Sequence, residues 1–123
     1  LDNSLISECC IINAKAIKKS VICFLSIIGE GTVIENSYIM GNDFYQSLTD
    51  MKEDIENENQ LIGIGERCYI NHALVDKNCR IGNDVYINGG KHLTNCSEEL
   101  YCIKDGIVVI KKGKTLPDNF RIE

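Results

Sequence analysis

The residues of this chain that could do chemistry are 7 cysteines, 2 histidines and 13 lysines and arginines. The cysteine number is odd and no C-x-x-C pair occurs, so we expect reduced thiols that pack as small hydrophobic side chains. His72 and His92 are candidates for a general base, a role in which a carbonyl or carboxylate must fix the ring tautomer. Neither of the glycine-rich motifs that cradle phosphates, G-x-G-x-x-G and G-x-x-x-x-G-K-[ST], is present.

Charge and composition limit the partners of the chain. Its net charge of −5 argues against a nucleic-acid or anionic-membrane surface, because both require clustered lysine and arginine. No apolar run approaches the roughly 18 residues that a membrane-spanning helix needs. The acidic segment Asp50–Glu58 is typical of a solvated face. Because the first residue is Leu1 rather than Met, we expect the chain to be a processed product or a fragment of a longer protein.

The spacing of the aliphatic residues is the strongest signal of the fold. A helix would place them three and four apart and a half-buried strand two apart, but here the steps are five or six. The recurring residues are Ile6, Ile12, Ile17, Ile22, Ile28, Ile34 and Met40, then Ile64, Ile70, Val75, Ile81 and Ile87. Steps near six place one aliphatic side chain on each face of a three-sided coil of about eighteen residues, in which equivalent residues stack. The chain is therefore predicted to be all-β, a left-handed parallel β-helix built as a hexapeptide-repeat solenoid.

Two interruptions divide this single predicted domain. Its parts are residues 1–40 as the first coils, 41–61 as an inserted loop or short helix, 62–88 as further coils, and 89–123 as a C-terminal loop and strand. In the insertion Leu48, Met51 and Ile55 are spaced three and four apart, which favours a short helix. Pro117 is predicted to end the last strand region. Small residues expected to pack where the corners are tight are Ala16, Ser26, Thr32, Cys68, Ala73 and Cys79.

Three segments of the chain carry sequence blocks that a β-helix alone does not require. They are Ser4–Tyr45, which contains the stretch IGEGTVIENSYIMGNDFY, then IGIGERCYINHALVDKNCRIGNDVYI at 62–87 and DGIVVIKKGKTLP at 105–117. The most specific parts are the MG-x-D-[FY]-Y block before the insertion and the D-K-N-x-R-I-G block after it. Together these segments resemble the C-terminal domain of ADP-glucose pyrophosphorylase (glucose-1-phosphate adenylyltransferase) of the plant and cyanobacterial branch, over nearly the whole chain.

The resemblance implies an enzyme that makes ADP-glucose and pyrophosphate from ATP and glucose 1-phosphate, assisted by magnesium, for glycogen or starch synthesis. In that family the catalytic residues lie in an N-terminal Rossmann-like domain, which is absent here, so this chain is expected to be inactive alone. The implied role of the chain is oligomerisation and allosteric control. The implied partners are the catalytic domain, other subunits of a homo- or hetero-oligomer such as a tetramer, and a phosphorylated metabolite or phosphate. The implied location is the cytoplasm of a bacterium or the plastid of a plant or alga.

The resemblance also implies an effector site. In the plant-type branch two C-terminal lysines contribute to it: the lysine of the D-K-N motif falls on Lys77, and a gapless match of the third segment puts the other on Lys112. Lysine suits this task because its ammonium pairs with phosphate as a point charge. His72 is a further candidate for an anion contact, although the family often carries basic residues at the positions of Asn71 and His72. At the position of Leu25 the family often carries arginine, so one positive charge is lost there.

Two other functions fit a hexapeptide repeat. One is a trimeric hexapeptide acyltransferase that uses His72 or His92 as general base on a CoA-linked substrate, but neither histidine lies in a motif of that class. The other is the β-helix domain of a different sugar-phosphate nucleotidyltransferase, such as a mannose-1-phosphate guanylyltransferase. The Asp43–Tyr45 and Asp76–Arg80 blocks count against this second alternative.

Overall fold

The chain winds around a single axis, in a computed structural model that describes residues 3–43, 48–57 and 61–123. Within those ranges it forms five coils, and each coil contributes one short strand to each of three sheets. The strands of the first three coils are β1 (Leu5–Ile6), β2 (Ile11–Ile12), β3 (Ala16–Lys18), β4 (Val21–Ile22), β5 (Ile27–Ile28), β6 (Val33–Glu35), β7 (Tyr38–Ile39), β8 (Gly63–Ile64) and β9 (Tyr69–Asn71). The fourth coil contains β10 (Ala73–Val75), β11 (Arg80–Ile81) and β12 (Tyr86–Asn88).

The last part of the chain adds a hairpin and the fifth coil. The hairpin strands are β13 (Cys96–Ser97) and β14 (Tyr101–Lys104), and the coil strands are β15 (Ile107–Ile110), β16 (Thr115–Leu116) and β17 (Arg121–Ile122). All pairings between coils are parallel, whereas β14 pairs antiparallel with both β13 and β15 and so extends the first sheet. The sequence predicted only a loop and a strand in residues 89–123. Pro117 does not end the strand region as predicted: it directly follows Leu116 of β16, and Ile122 of β17 continues the inward spacing after it, because a proline is readily accommodated in a corner.

The core consists of three ladders of inward aliphatic side chains, one for each sheet. The first ladder is Ile6, Ile22, Ile39, Val75 and Ile110. The second is Ile12, Ile28, Ile64, Ile81 and Leu116, and the third is Ile17, Ile34, Ile70, Ile87 and Ile122. The stacking predicted from the spacing is thus present, with one correction: Ile39 rather than Met40 occupies the ladder, because β7 ends one residue earlier than the six-residue step suggests.

The corners between strands have close backbone contacts and left-handed residues. A Cβ at Gly29 would lie 2.5 Å from the Gly65 carbonyl oxygen of the next coil, so no side chain fits there. The small residues predicted to pack at corners are buried at Ser26, Thr32, Cys68, Ala73 and Cys79, and half-buried at Ala16. Burial raises the pKa of the Cys68 thiol, and it raises that of Cys79 to about 11, as expected for packing residues.

The insertion after β7 contains one helix, α1 (Leu48–Glu56), as the spacing of its apolar residues predicted. An ion pair links it to the outer face of the second sheet, since Arg80 of β11 lies 2.7 Å from the Asp54 carboxylate. Ile55 is 64% exposed, so its side chain does not pack as the helical spacing suggested. Among the described residues, no helix is both long and apolar enough to cross a membrane.

Candidate functional site

The corner that follows the first sheet stacks segments from four coils. Backbone hydrogen bonds join segment 41–43 to 23–25 (Asn42 N to Phe24 O, 3.2 Å) and segment 76–78 to 41–43 (Asn78 N to Gly41 O, 3.1 Å). A third bond, from Gly113 N to Lys77 O at 2.9 Å, joins segment 111–113. We call Asp43, Asp76, Lys77, Asn78 and Lys112 the lysine corner.

Lys77 and Lys112 lie on adjacent coils in the lysine corner, so the two predicted effector lysines are brought together. Adjacent strands of such a ladder are about 4.8 Å apart. Lys77 is half exposed, with 42% of its side chain accessible, and its Nζ lies 3.2 Å from Asp43 Oδ1. The charge of Lys112 also acts on the Asp43 carboxylate. Two lysines therefore share one solvent-accessible corner, in which the Asp43 carboxylate is paired directly with Lys77 and feels the charge of Lys112.

Asp43 makes three contacts in the lysine corner. Its backbone N–H donates to Asn78 Oδ1 at 2.9 Å, and its carboxylate accepts from Asn78 Nδ2 at 3.0 Å and from Lys77 Nζ at 3.2 Å. The Asn78 hydrogen bond, and secondarily the Lys77 ammonium, hold the pKa of the Asp43 carboxyl below its ordinary value. Sequence reasoning identified Asp43 as part of a block but missed its contact with Lys77, because an insertion of unknown path separates the two residues.

The D-K-N motif has a clear structural meaning at this corner. Asp76 Oδ1 accepts the Lys77 backbone N–H at 2.6 Å, which fixes the turn. Asn78 has φ of 62°, a left-handed conformation that asparagine tolerates better than most residues. Its side chain then holds Asp43 at both the backbone and the carboxylate. The flanking residues therefore set the backbone, and Lys77 between them presents its ammonium to solvent.

His72 lies at the opposite end of β10 from Lys77 and is not part of the lysine corner. Lys77 follows His72 by five positions, and the three strand residues of β10 lie between them, so the two side chains belong to different corners. His72 has φ of 51°, and its carbonyl accepts the Val108 N–H at 3.1 Å. Its ring forms no hydrogen bond with any other residue in the part of the chain that the structure describes, and the same holds for His92. The partner that a general base requires is therefore not found for either histidine among those residues.

The two family departures near these sites have structural consequences. Asn71 joins a side-chain amide ladder, accepting from Asn36 at 3.2 Å and donating to Asn88 at 3.0 Å. Leu25 is buried in the lysine-corner stack, with φ of 59°, and its carbonyl accepts from Asn42 Nδ2 at 2.8 Å. Neither position presents a cation. The stacked segments that the structure describes contain three lysines, and of these Lys111 is engaged by Glu98 O and Ser97 Oγ, which leaves Lys77 and Lys112 as the candidates for binding an anion.

A metal site was not predicted for this chain. In residues 3–43, 48–57 and 61–123, no group of three or more histidine, cysteine, aspartate or glutamate side chains is arranged to hold a metal ion. The magnesium that the resemblance implies would act in the catalytic domain outside this chain.

Comparison with known proteins shows which family the chain belongs to. Residues 1–120 match a family model described as the GLGC left-handed parallel β-helix domain. The chain is 38% identical over 117 residues to the chloroplastic/amyloplastic small subunit of glucose-1-phosphate adenylyltransferase from Triticum aestivum, covering 94% of this chain and 25% of the relative. It is 39% identical over 118 residues to a small subunit of the same enzyme from Zea mays, covering 94% of each. The predicted left-handed β-helix is confirmed.

Proposed function

The chain belongs to the GLGC left-handed parallel β-helix family of glucose-1-phosphate adenylyltransferase subunits, and we propose that it is the assembly and effector-binding domain of such an enzyme. The chain spans 25% of the length of the wheat relative. We therefore also propose, rather than conclude, that the longer protein has the activity of a whole subunit. The complete enzyme would join ATP and glucose 1-phosphate into ADP-glucose and pyrophosphate, with magnesium bound in the catalytic domain. We propose a plastid location if the source is a plant or alga, and the cytoplasm if it is a bacterium.

The main support for the effector role is that Lys77 and Lys112 lie next to each other at one exposed corner. Two ammonium groups on adjacent coils suit a dianionic phosphate, which accepts charge-assisted hydrogen bonds from more than one donor. The backbones that carry them are joined directly, because Gly113 N binds Lys77 O at 2.9 Å. An anion that binds both lysines therefore has to order their side chains but not the two backbone segments, which favours affinity.

The outer face of the first sheet supports the assembly role. Its outward residues form an apolar stripe across the coils, made of Leu5, Val21, Tyr38, Leu74 and Val109. Leu5 is 69% exposed and Tyr38 44% exposed. The outer face of the third sheet is mixed: it has a polar column of Glu35, Asn71 and Asn88 beside an apolar and aromatic column that contains Val33, Tyr69 and Tyr86. An exposed apolar stripe on a stable solenoid marks a surface that other protein covers, here the catalytic domain or a neighbouring subunit.

The first experiment tests whether catalysis requires the catalytic domain in addition to this chain. The 123-residue chain with ATP, magnesium and glucose 1-phosphate is expected to show no ADP-glucose formation, since no phosphate-cradling loop is present in its sequence. Measurable turnover by the chain alone would contradict the two-domain proposal. The matched sample is the longer protein with its catalytic domain, which is expected to be active.

The second experiment tests the effector role in that longer protein. Lys77→Ala and Lys112→Ala are each expected to raise the activator concentration for half-maximal effect about tenfold, equivalent to about 1.4 kcal/mol. Lys104→Ala is the control, because Lys104 is an exposed lysine on β14 outside the lysine corner. If both corner variants respond to the activator like the control, the effector site lies elsewhere.

A further inference from the structure

The Lys77 ammonium already has an anionic partner in the described structure. Asp43 Oδ1 lies 3.2 Å from Lys77 Nζ, and Asn78 binds both the backbone N–H and the carboxylate of Asp43. Asn78 therefore keeps this carboxylate beside the lysine, although the side chains of Asp43 and Lys77 are 49% and 42% exposed. A carboxylate held in this way has a high local concentration at Lys77, as any tethered ligand does at its site.

A second exposed ion pair, between Arg67 and Asp84, differs from the Lys77–Asp43 pair in its geometry. Arg67 donates from Nε to Asp84 Oδ1 at 2.9 Å and from Nη2 to Asp84 Oδ2 at 3.1 Å. That pair is bidentate and engages both carboxylate oxygens, which is the geometry of a structural tie. Lys77 makes a single contact with Asp43, and an ammonium has three donors. Lys77 therefore remains able to bind another acceptor. That acceptor, if it is an anion, is repelled by the negative charge of Asp43.

We propose that Asp43 is a built-in competitor of the anionic effector, so that it sets the effector concentration at which the lysine corner fills. This inference rests on the proposed effector role of Lys77. A phosphate that approaches Lys77 and Lys112 meets the repulsion of the Asp43 carboxylate and must displace it from the Lys77 ammonium. Asp43 also lies in the insertion, ahead of α1, so the displaced carboxylate belongs to the inserted segment.

The test is a titration of the 123-residue chain with inorganic phosphate, followed by the NMR amide signals of Lys77, Asn78 and Gly113. Asp43→Asn removes the charge but keeps an oxygen that can accept from Asn78 Nδ2. We expect this variant to bind phosphate about fivefold more tightly than the unchanged chain. Asp84→Asn is the matched control, because it removes the same charge from an exposed ion pair at another corner. It is expected to change phosphate affinity less than about twofold, since exposed charges farther away are screened.

A second variant separates lost competition from a newly gained contact. Asp43→Ser is also neutral, but its side chain is too short to contact a phosphate bound at Lys77, whereas an asparagine amide could reach it. If the gain comes from lost competition, Asp43→Ser should show the same gain in phosphate affinity as Asp43→Asn. If Asp43→Asn binds more tightly but Asp43→Ser does not, the gain comes from the new amide, and the competitor proposal is wrong. Retained amide signals of the ladder residue Val75 and its neighbours verify that each variant is folded.

The outcomes distinguish this proposal from the effector role on which it rests. If phosphate shifts the Lys77 and Gly113 signals of the unchanged chain while Asp43→Asn binds no more tightly, the effector site stands and the competitor proposal fails. If phosphate shifts these signals in neither protein, both proposals fail. If they shift only in the Asp43 variants, both are supported, with Asp43 as a stronger competitor than expected.

Discussion

The two ends of strand β10 have similar backbones but very different side-chain surroundings. At one end His72 follows Lys19 and Asn36 in a column of left-handed residues, with φ of 51°, 48° and 48°. At the other end Asn78, with φ of 62°, belongs to the lysine corner. The His72 ring has no hydrogen-bond partner among the described residues, whereas Lys77 and Asn78 both bind Asp43 across the insertion.

This difference shows that a left-handed corner becomes a candidate site only when its neighbours position a functional group. At the lysine corner Asp76 fixes the turn and Asn78 holds Asp43, so the ammonium of Lys77 has a defined location. The surface around His72 contains Lys19, but it also contains the exposed side chains of Tyr38 and Ile107, and no neighbouring side chain holds a cation in place there among the described residues, which suits a covered protein surface more than an anion. We therefore expect phosphate at one end of β10 and protein contact at the other.

The largest expected effect is a difference in phosphate affinity between variants at the two ends of β10. In the 123-residue chain the double variant Lys77→Ala/Lys112→Ala should weaken phosphate binding about fiftyfold or more, because both cations of the lysine corner are lost. The double variant Lys19→Ala/His72→Ala should change it less than about twofold. The measurement is a phosphate titration by NMR or calorimetry. Equal losses from the two pairs would show that His72 belongs to the effector site, as the sequence resemblance suggested.

A smaller effect concerns the stability of the corners. Asn78→Ala should lower the free energy of unfolding by about 1–2 kcal/mol, because alanine tolerates a left-handed backbone poorly. Asn78→Gly should lose less than half as much, since glycine adopts this conformation readily. His72→Ala should stay within about 0.5 kcal/mol of the unchanged chain, because histidine, unlike asparagine, has no short amide that stabilises a left-handed backbone, so alanine loses little relative to it. Chemical denaturation measures all three variants, and a large loss in Asn78→Gly would point to the side-chain contacts with Asp43 instead.

The smallest expected effect is a pH dependence confined to the lysine corner. The pKa of the Asp43 carboxyl is lowered from 3.8 in the folded chain, so its contribution to stability is fully present above that pH. The contribution is lost as the pH falls through the folded pKa, below 3.8. Asp43→Asn should therefore be slightly less stable than the unchanged chain at pH 7, and this difference should disappear in acid. A difference that persists at the lowest pH at which both proteins stay folded would assign it to something other than the carboxylate charge.

Much of the fold could be predicted because one aliphatic residue per face is a local and repeated signal. The ladders follow from it, and the single error at Met40 arose because Ile39 and Met40 are adjacent apolar residues and steps of five and six both occur. The hairpin of β13 and β14 does not follow the repeat. The turn that joins β14 to β15 does have a sequence signal, the Asp105-Gly106 pair between two apolar runs, where both residues have positive φ (52° and 83°), as a tight hairpin turn requires.

The candidate site was only partly predictable for a different reason. Lys77 and Lys112 came from the match to a family, and their closeness depends on the stacking of corners from adjacent coils. Asp43 could not be assigned to Lys77, because the insertion hides which corner segment 41–43 stacks upon. His72 was grouped with the lysines because the family often carries basic residues at the positions of Asn71 and His72, but the three residues of β10 direct it to the opposite corner.

The measurement that tests the central claim most directly is a phosphate titration of the unchanged 123-residue chain, with amide signals followed at both ends of β10. The account predicts saturable shifts at Lys77, Asn78 and Gly113, with His72 and Ala73 unaffected. Saturable shifts at His72 and Ala73, with the lysine corner unchanged, would contradict it.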